Sequence, residues 1–294
     1  MAALRKVIVT GSDSGYFPLL AEMIQSVQRF EQSRQFDLRY FDMGLKDEEI
    51  RWLAERGCIG CKPGWDLEVP EPQRNTRHHS QAIRPFLRNY FPGYDVYVWL
   101  DADLWIQDWQ VLERYVEGAL GYGLAISFEK ERAYRFQGWL LGWTLKHFIL
   151  GYGLWRGLWL ASRPHLNVGC FAIAAAAPHW EPWIARFQKA ICRAGRVEPH
   201  DQFALIDAVY SDRLPTCILP ATCNWICDRG IPVWDADAKL FCVPYPPYTA
   251  ISVIHLAGPA KATNYSVATR SGQAHDVMLR FSSMRPDADR SAAA

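Results

Sequence analysis

The chain has 294 residues, 50% of them hydrophobic and 21% charged, enough apolar material for a sizeable core in one large α/β domain or two small ones. Its 32 Lys and Arg balance 31 Asp and Glu, and the net charge of +1 offers no basic field for nucleic acid and no acidic tail. Eight cysteines in a chain this long do not make a disulfide scaffold, so reduced thiols are expected.

A strand over residues 6–10 comes first, so early that it leaves no room for a secretory signal, and the expectation is a cytoplasmic protein. The polar turn Gly11-Ser12-Asp13-Ser14-Gly15 and a helix over 17–30 follow. A strand over 36–42 and a charged helix over 46–56 continue the alternation that a mostly parallel sheet requires. Residues 58–77, rich in Pro, Gly and charge, read as loop. Cys58 and Cys61 within it, with Cys223 and Cys227, make a four-thiolate zinc site conceivable, although such distant pairs match no common finger; buried thiols are the plainer reading. A helix over 79–90 then leads into the most informative stretch, YDVYVWLDADLWI.

There Val96, Tyr97, Val98, Trp99 and Leu100 read as a strand buried on both faces, ending abruptly on Asp101 and Asp103 with only Ala102 between. Ligands sit at such strand ends in open α/β sheets. Two carboxylates there repel each other and lose solvation, so a cation or strong donors must compensate. A divalent metal carrying a phosphorylated substrate would do so; an acidic turn is the bland alternative. A helix over 109–117 leaves the strand.

Residues 136–162, FQGWLLGWTLKHFILGYGLWRGLWLAS, carry only Lys146 and Arg156 as formal charges. Trp139 and Trp143, then Trp155 and Trp159, sit four apart and share a face on a helix. Charges interrupt the run too often for a spanning helix of about 20 apolar residues. Three readings stay open: a core helical hairpin, an aromatic platform for a sugar or lipid acceptor, and an interfacial membrane anchor. A strand over 166–174 follows, with Asn167 and Gly169 at its start, then a helix over 180–194, a segment over 198–210 and strands near Ile218 and Ile251. The last dozen residues show no apolar period and are expected to be disordered. In VIHLAGPAK a short apolar run leads into His255, Gly258 and Lys261. Neutral imidazole ligates metals, glycine lets backbone approach a phosphate, and lysine neutralises one; a hydrogen-bonded core histidine is the alternative.

Asp101-x-Asp103, Asn167-Val168-Gly169, His200-Asp201-Gln202, Leu219-Pro220 with Asn224-Trp225, and His255-x-x-Gly258-x-x-Lys261 come in the order and approximate spacing of family 8 glycosyltransferases. Over about residues 5–262 the chain resembles bacterial members of that family, the lipopolysaccharide galactosyl- and glucosyltransferases, and more distantly glycogenin. The resemblance implies a single-domain α/β fold of the GT-A type over residues 1–262, with a mostly parallel central sheet flanked by helices, and a C-terminal extension over 263–294. It implies a metal-dependent, retaining hexosyltransferase that moves glucose or galactose from a UDP-sugar to a hydroxyl of a glycan or glycolipid. Asp101, Asp103 and His255 would hold Mn²⁺, or Mg²⁺, at the diphosphate, a donor set suited to Mn²⁺ more than Ca²⁺.

By the same resemblance Asp13 and Tyr16 would contact uracil, and Arg84 the donor sugar or diphosphate. Ala102 would lie against the donor between the acidic ligands. Asn167, Gly169, Asp201 and Gln202 would line the donor sugar, with Gln202 beneath the anomeric carbon, while Gly258 and Lys261 would wrap the diphosphate. Asp201, Gln202 and Lys261 are the catalytic candidates. Without the resemblance, Asp13 is turn chemistry, Arg84 a surface helix charge, Asn167 a turn residue and Asp201 a helix N-terminal carboxylate. The chain departs from the family where Pro-Trp usually follows the last motif, for Lys261 precedes Ala262, Thr263 and Asn264. Two other classes compete. One is a non-catalytic sugar-nucleotide-binding protein held at the inner membrane face through 136–162. The other is a sugar-phosphate nucleotidyltransferase, whose usual Gly-rich basic phosphate loop the Gly11–Gly15 turn does not resemble.

Overall fold

Seven strands form a twisted central sheet, described in a computed structural model that covers residues 4–284. In chain order the elements are β1 (Lys6–Ser12), α1 (Phe17–Gln28), β2 (Phe36–Asp42), α2 (Asp47–Ala54), β3 (Cys58–Cys61), α3 (Thr76–Ala82), α4 (Leu87–Tyr90), β4 (Val96–Leu100), β5 (Leu104–Ile106), α5 (Gln110–Tyr122), β6 (Leu124–Phe128), α6 (Gly138–Tyr152), α7 (Leu154–Ala161), β7 (Leu166–Ala174), α8 (Trp180–Ala194), α9 (His200–Asp212), β8 (Thr216–Leu219), β9 (Trp225–Ile226), β10 (Val233–Asp235), β11 (Leu240–Cys242), β12 (Val253–His255), β13 (Asn264–Ala268) and β14 (Ala274–Met278). The expected disorder of the last dozen residues falls almost wholly outside the described residues.

The sheet order is β3-β2-β1-β4-β7-β6-β8, and only β7 runs against its neighbours. It is therefore the mostly parallel α/β sheet expected. Every residue of β4 is buried, as the unbroken apolar run requires when helices cover both faces. One face packs on α8, whose buried Trp180, Trp183, Phe187 and Ile191 recur at helical spacing; the helix stops at Gly195, in the left-handed region. The other face packs on α1 and α5.

Two predicted elements are corrected. The expected loop over 58–77 begins with β3, which pairs parallel with β2 in the register Leu38 to Cys58; four residues are too short to show periodicity and are held by their partner strand. The expected helix over 79–90 is broken. It starts earlier, at Thr76, because the Asn75 side chain accepts a hydrogen bond from His78 N at 2.9 Å. It gives way to a 3₁₀ turn over Arg84–Phe86, where Pro85 supplies no N–H for the helical ladder. Among the described residues the cysteines form no four-thiolate cluster and no disulfide.

A small second sheet, β5-β12-β9, carries the end of β4 to its final position. β12 pairs antiparallel with β5 so that His255 stands opposite Leu104, the residue after Asp103, and Leu256 N donates to Asp103 O at 2.8 Å. Residues 264–284 close over this sheet, with Val267, Leu279 and Phe281 buried against Trp105, Phe241 and Ile254.

Residues 136–162 form a helical hairpin, α6 and α7, with Thr144, His147, Phe148 and Leu160 buried and an apolar outer face left exposed. The hairpin is tight at Gly157, where an added Cβ would lie 2.7 Å from Ile149 N and 2.8 Å from Phe148 C, backbone atoms that cannot give way. Gly157→Ala is expected to cost about 1–3 kcal/mol by overpacking, read as a lower denaturation midpoint in urea at unchanged slope. An unchanged midpoint would mean that the helices separate without cost.

Candidate active site

β1, β4 and β6 run in one direction and β7 in the other, so the C-terminal ends of the first three and the start of the fourth share one edge of the sheet. Asp13, Asp101, Glu129 and Asn167 all stand there, where α/β sheets bind ligands. They line a cavity of about 620 Å³ together with Tyr16, Arg84, Ala102, Asp103, Gly169, Asp201, Gln202, His255, Gly258 and Lys261. All the site residues expected from sequence thus come to one cavity. α6 adds Leu140, Trp143 and Thr144 to its wall.

Asp101, Asp103 and His255 place one ligand atom each within 4.8 Å of one another. Asp101 is fixed through Oδ1, which accepts from Trp99 Nε1 at 2.7 Å and Arg84 Nη2 at 2.6 Å. Asp103 receives Lys261 Nζ at 2.7 Å and lies 3.4 Å from His255 Nε2. Burial pushes the Asp103 carboxyl up, but His255 and Lys261 outweigh it and hold the group well below the usual carboxylate range. Gly169 forms a floor that only glycine permits. An added Cβ would lie 2.5 Å from His255 Cε1 and 2.9 Å from Asp101 Oδ2 and Asn167 Oδ1. Two carboxylates and an imidazole closed against a glycine fit a hard divalent cation.

The tautomer of His255 follows from a chain of hydrogen bonds. The backbone N–H of Gly169 can only donate, and it donates to Asn167 Oδ1 at 2.8 Å, which turns Asn167 Nδ2 toward Glu129 Oε1 at 2.7 Å. Asn224 Nδ2 donates to the same Asn167 Oδ1 at 2.8 Å, so Asn224 Oδ1 faces His255 Nδ1 at 2.9 Å. Nδ1 must then carry a proton, and Nε2 is the ring nitrogen turned toward Asp103, the one a metal-binding histidine would use. Asn224→Leu, similar in size but mute, is expected to weaken Mn²⁺ binding about 10–100-fold, measured by the free-Mn²⁺ resonance signal during titration; unchanged affinity would remove Asn224 from this role.

Arg84 is buried, not a surface charge. It bridges the two carboxylates, Nη1 donating to Asp201 Oδ2 and Nη2 to Asp101 Oδ1, and lies over the Trp99 ring. Burial lowers its pKa, but the two carboxylates more than reverse this and keep it charged. Burial likewise pushes the Asp201 carboxyl up, with Arg84 opposing. Asp13 caps its own turn, accepting from Tyr16 N at 3.1 Å and Thr76 Oγ1 at 2.7 Å, and Tyr16 presents its ring to Lys261 Nζ at 5.6 Å.

Glu129 was not expected. It accepts from Asn167, from Gln202 Nε2 at 3.1 Å and from Arg229 Nη2 at 3.2 Å. Burial raises its carboxyl, but Arg229, His165 and the two amides hold it below the ordinary value. The signal was present: Glu129 follows the apolar run LAISF as Asp101 follows VYVWL.

No protein-family model and no curated protein sequence matches the chain. Solved structures do. An active-site mutant of LgtC is 14% identical, with 86% of this chain covering 88% of that one at a TM-score of 0.51. Galactosyltransferase LgtC in complex with donor and acceptor sugar analogs is 15% identical at the same coverage and TM-score. The chain has the GT-A fold of these structures.

Proposed function

We propose that this chain is a glycosyltransferase of the family 8 type, moving glucose or galactose from a UDP-sugar to a hydroxyl of a glycan or glycolipid with retention at the anomeric carbon. The observation that carries the reading is the convergence of Asp101, Asp103 and His255 at the C-terminal end of β4, inside a cavity that also holds Asp13, Tyr16 and Lys261.

In this reading Asp101, Asp103 and His255 would hold Mn²⁺ or Mg²⁺, which supplies Lewis-acid stabilisation to a departing diphosphate. Tyr16 and Asp13 receive the uracil, with Ala102 against the donor. Lys261 exchanges its partner Asp103 for phosphate oxygen when the donor binds, and Gly258 lets the backbone follow it. Asn167, Gly169, Asp201 and Gln202 line the sugar, and Arg84 holds Asp101 and Asp201 apart at fixed positions. Transfer forms a bond from the acceptor oxygen to the anomeric carbon on the face that UDP leaves; the bond to the β-phosphate oxygen breaks, and that oxygen takes the acceptor proton. Charge developing on the diphosphate is met by Lys261, already aimed into the cavity.

The test is UDP release from a panel of UDP-sugars, with and without Mn²⁺, using slow donor hydrolysis as readout. Mn²⁺-dependent release from one hexose donor supports the reading and identifies the donor. No release from any, in protein that binds UDP with Mn²⁺, would favour a binding role.

A further inference from the structure

We propose that the α6–α7 hairpin is an interfacial anchor that seats this protein on an anionic lipid surface. Phe136, Trp139, Leu141, Leu154, Trp155 and Trp159 are all exposed in and just before this hairpin, Trp139 at 68% and Trp155 at 81%. A surface helix normally turns a polar face outward; on the exposed side of α6 Lys146 is the one charged residue, among Trp139, Leu141 and Leu150. Neither helix is long and apolar enough to cross a membrane, so the hairpin lies along a surface. Exposed tryptophans at a helix face suit the boundary between headgroups and acyl chains.

Charge identifies the surface as anionic. The sequence holds no Asp or Glu between Glu131 and Glu181. Arg156, next to the exposed Trp155, enters a second cavity of about 320 Å³ between the hairpin and α8–α9, in which Arg156, Arg186, Lys189 and Arg193 face the carboxylate of Asp207. Asp207 is already paired with Arg156 at 2.7 Å and Arg186 at 3.1 Å. Among the described residues Lys189 and Arg193 have no carboxylate partner, and the buried hydroxyl of Tyr152, on the same wall, has no hydrogen-bond partner. A cationic recess reached through Arg156, the neighbour of the exposed Trp155, matches a phosphate headgroup above acyl chains. A second copy of the chain meeting this face symmetrically would set the cations against each other.

The docking does not rest on the transferase reading. Where both hold, the cavity wall formed by Leu140, Trp143 and Thr144 of the same helix opens the acceptor side toward the lipid.

Cosedimentation with phosphatidylcholine vesicles, with and without one third phosphatidylglycerol, tests the proposal. The full chain is expected to bind the anionic vesicles at least about tenfold more strongly than the neutral ones. The exposed double variant Trp139→Ser/Trp155→Ser should lose at least about tenfold of that binding, and Lys189→Glu/Arg193→Glu should abolish the preference for phosphatidylglycerol. UDP binding measured on the same variants should be unchanged, which separates this failure from a failure of the transferase site. Absence of binding to either vesicle, binding that ignores both variants, or a dimer dissociated by the tryptophan changes would each overturn it.

Discussion

Asp103→Ala is expected to abolish cation-dependent UDP binding and to lower transferase turnover at least about 100-fold, a loss of about 2.7 kcal/mol or more of transition-state stabilisation, in a protein that stays folded. The carboxylate of Asp103 lies within reach of both His255 and Lys261 and is ionised. Its removal takes away one of the two carboxylates of the proposed metal site and leaves Lys261 facing the imidazole. The fold survives because Lys261 is partly exposed and can turn to water, while the backbone contacts of this segment, Leu256 N to Asp103 O and β5 to β12, do not involve the side chain. Calorimetric titration of UDP with and without Mn²⁺ checks it. Tight Mn²⁺-dependent binding retained by the variant would remove Asp103 from the metal site.

Arg84→Met should be the most destabilising single change at the site, at about 3–5 kcal/mol, because it strands the buried carboxylate of Asp201 and the partly buried one of Asp101, which now share one guanidinium. Asp201 has a buried side chain that cannot turn to solvent, whereas Asp101 is partly covered and borders the cavity. Adding Asp201→Asn removes one stranded charge, so the double variant is expected to be more stable than Arg84→Met alone, a coupling that independent sites would not show. Urea denaturation of the four proteins of this cycle reads the result. Additive losses would mean that Arg84 acts through packing on Trp99, not through its charge.

The long, strongly patterned elements were legible because their own residues determine them: β4 as an unbroken apolar run, β7 as a nine-residue stretch whose one polar side chain is Asn167, α8 as an aromatic stripe at helical spacing. The short strands were not. β3, β5 and β9 have four, three and two residues and exist only through partners far along the chain, and no local period reports a pairing such as His255 with Leu104. The same limit applies to the site. Asp101 and Asp103 could be read from the strand they end, whereas the burial of Arg84 depends on the break that Pro85 makes in a helix the pattern showed as continuous. Asn224 stood within a recognised motif, but its link to the His255 tautomer runs through Asn167 and the Gly169 backbone, contacts visible only in three dimensions. Glu129 could have been found by applying the strand-end argument a second time. The tryptophan segment was read as core, platform or anchor, and the hairpin has a buried face, a face on the cavity and an exposed one.

In the proposed site Asp101, Asp103 and His255 bind a divalent cation that in turn binds a nucleoside diphosphate. The most direct measurement is the melting temperature of the chain with UDP, with Mn²⁺, and with both, since a ligand that binds only the native state stabilises it by mass action, about 2.7 kcal/mol at 100 times its dissociation constant. A rise of several degrees is expected with both present and little with UDP in chelator. An equal rise with UDP in the absence of any divalent cation would contradict it.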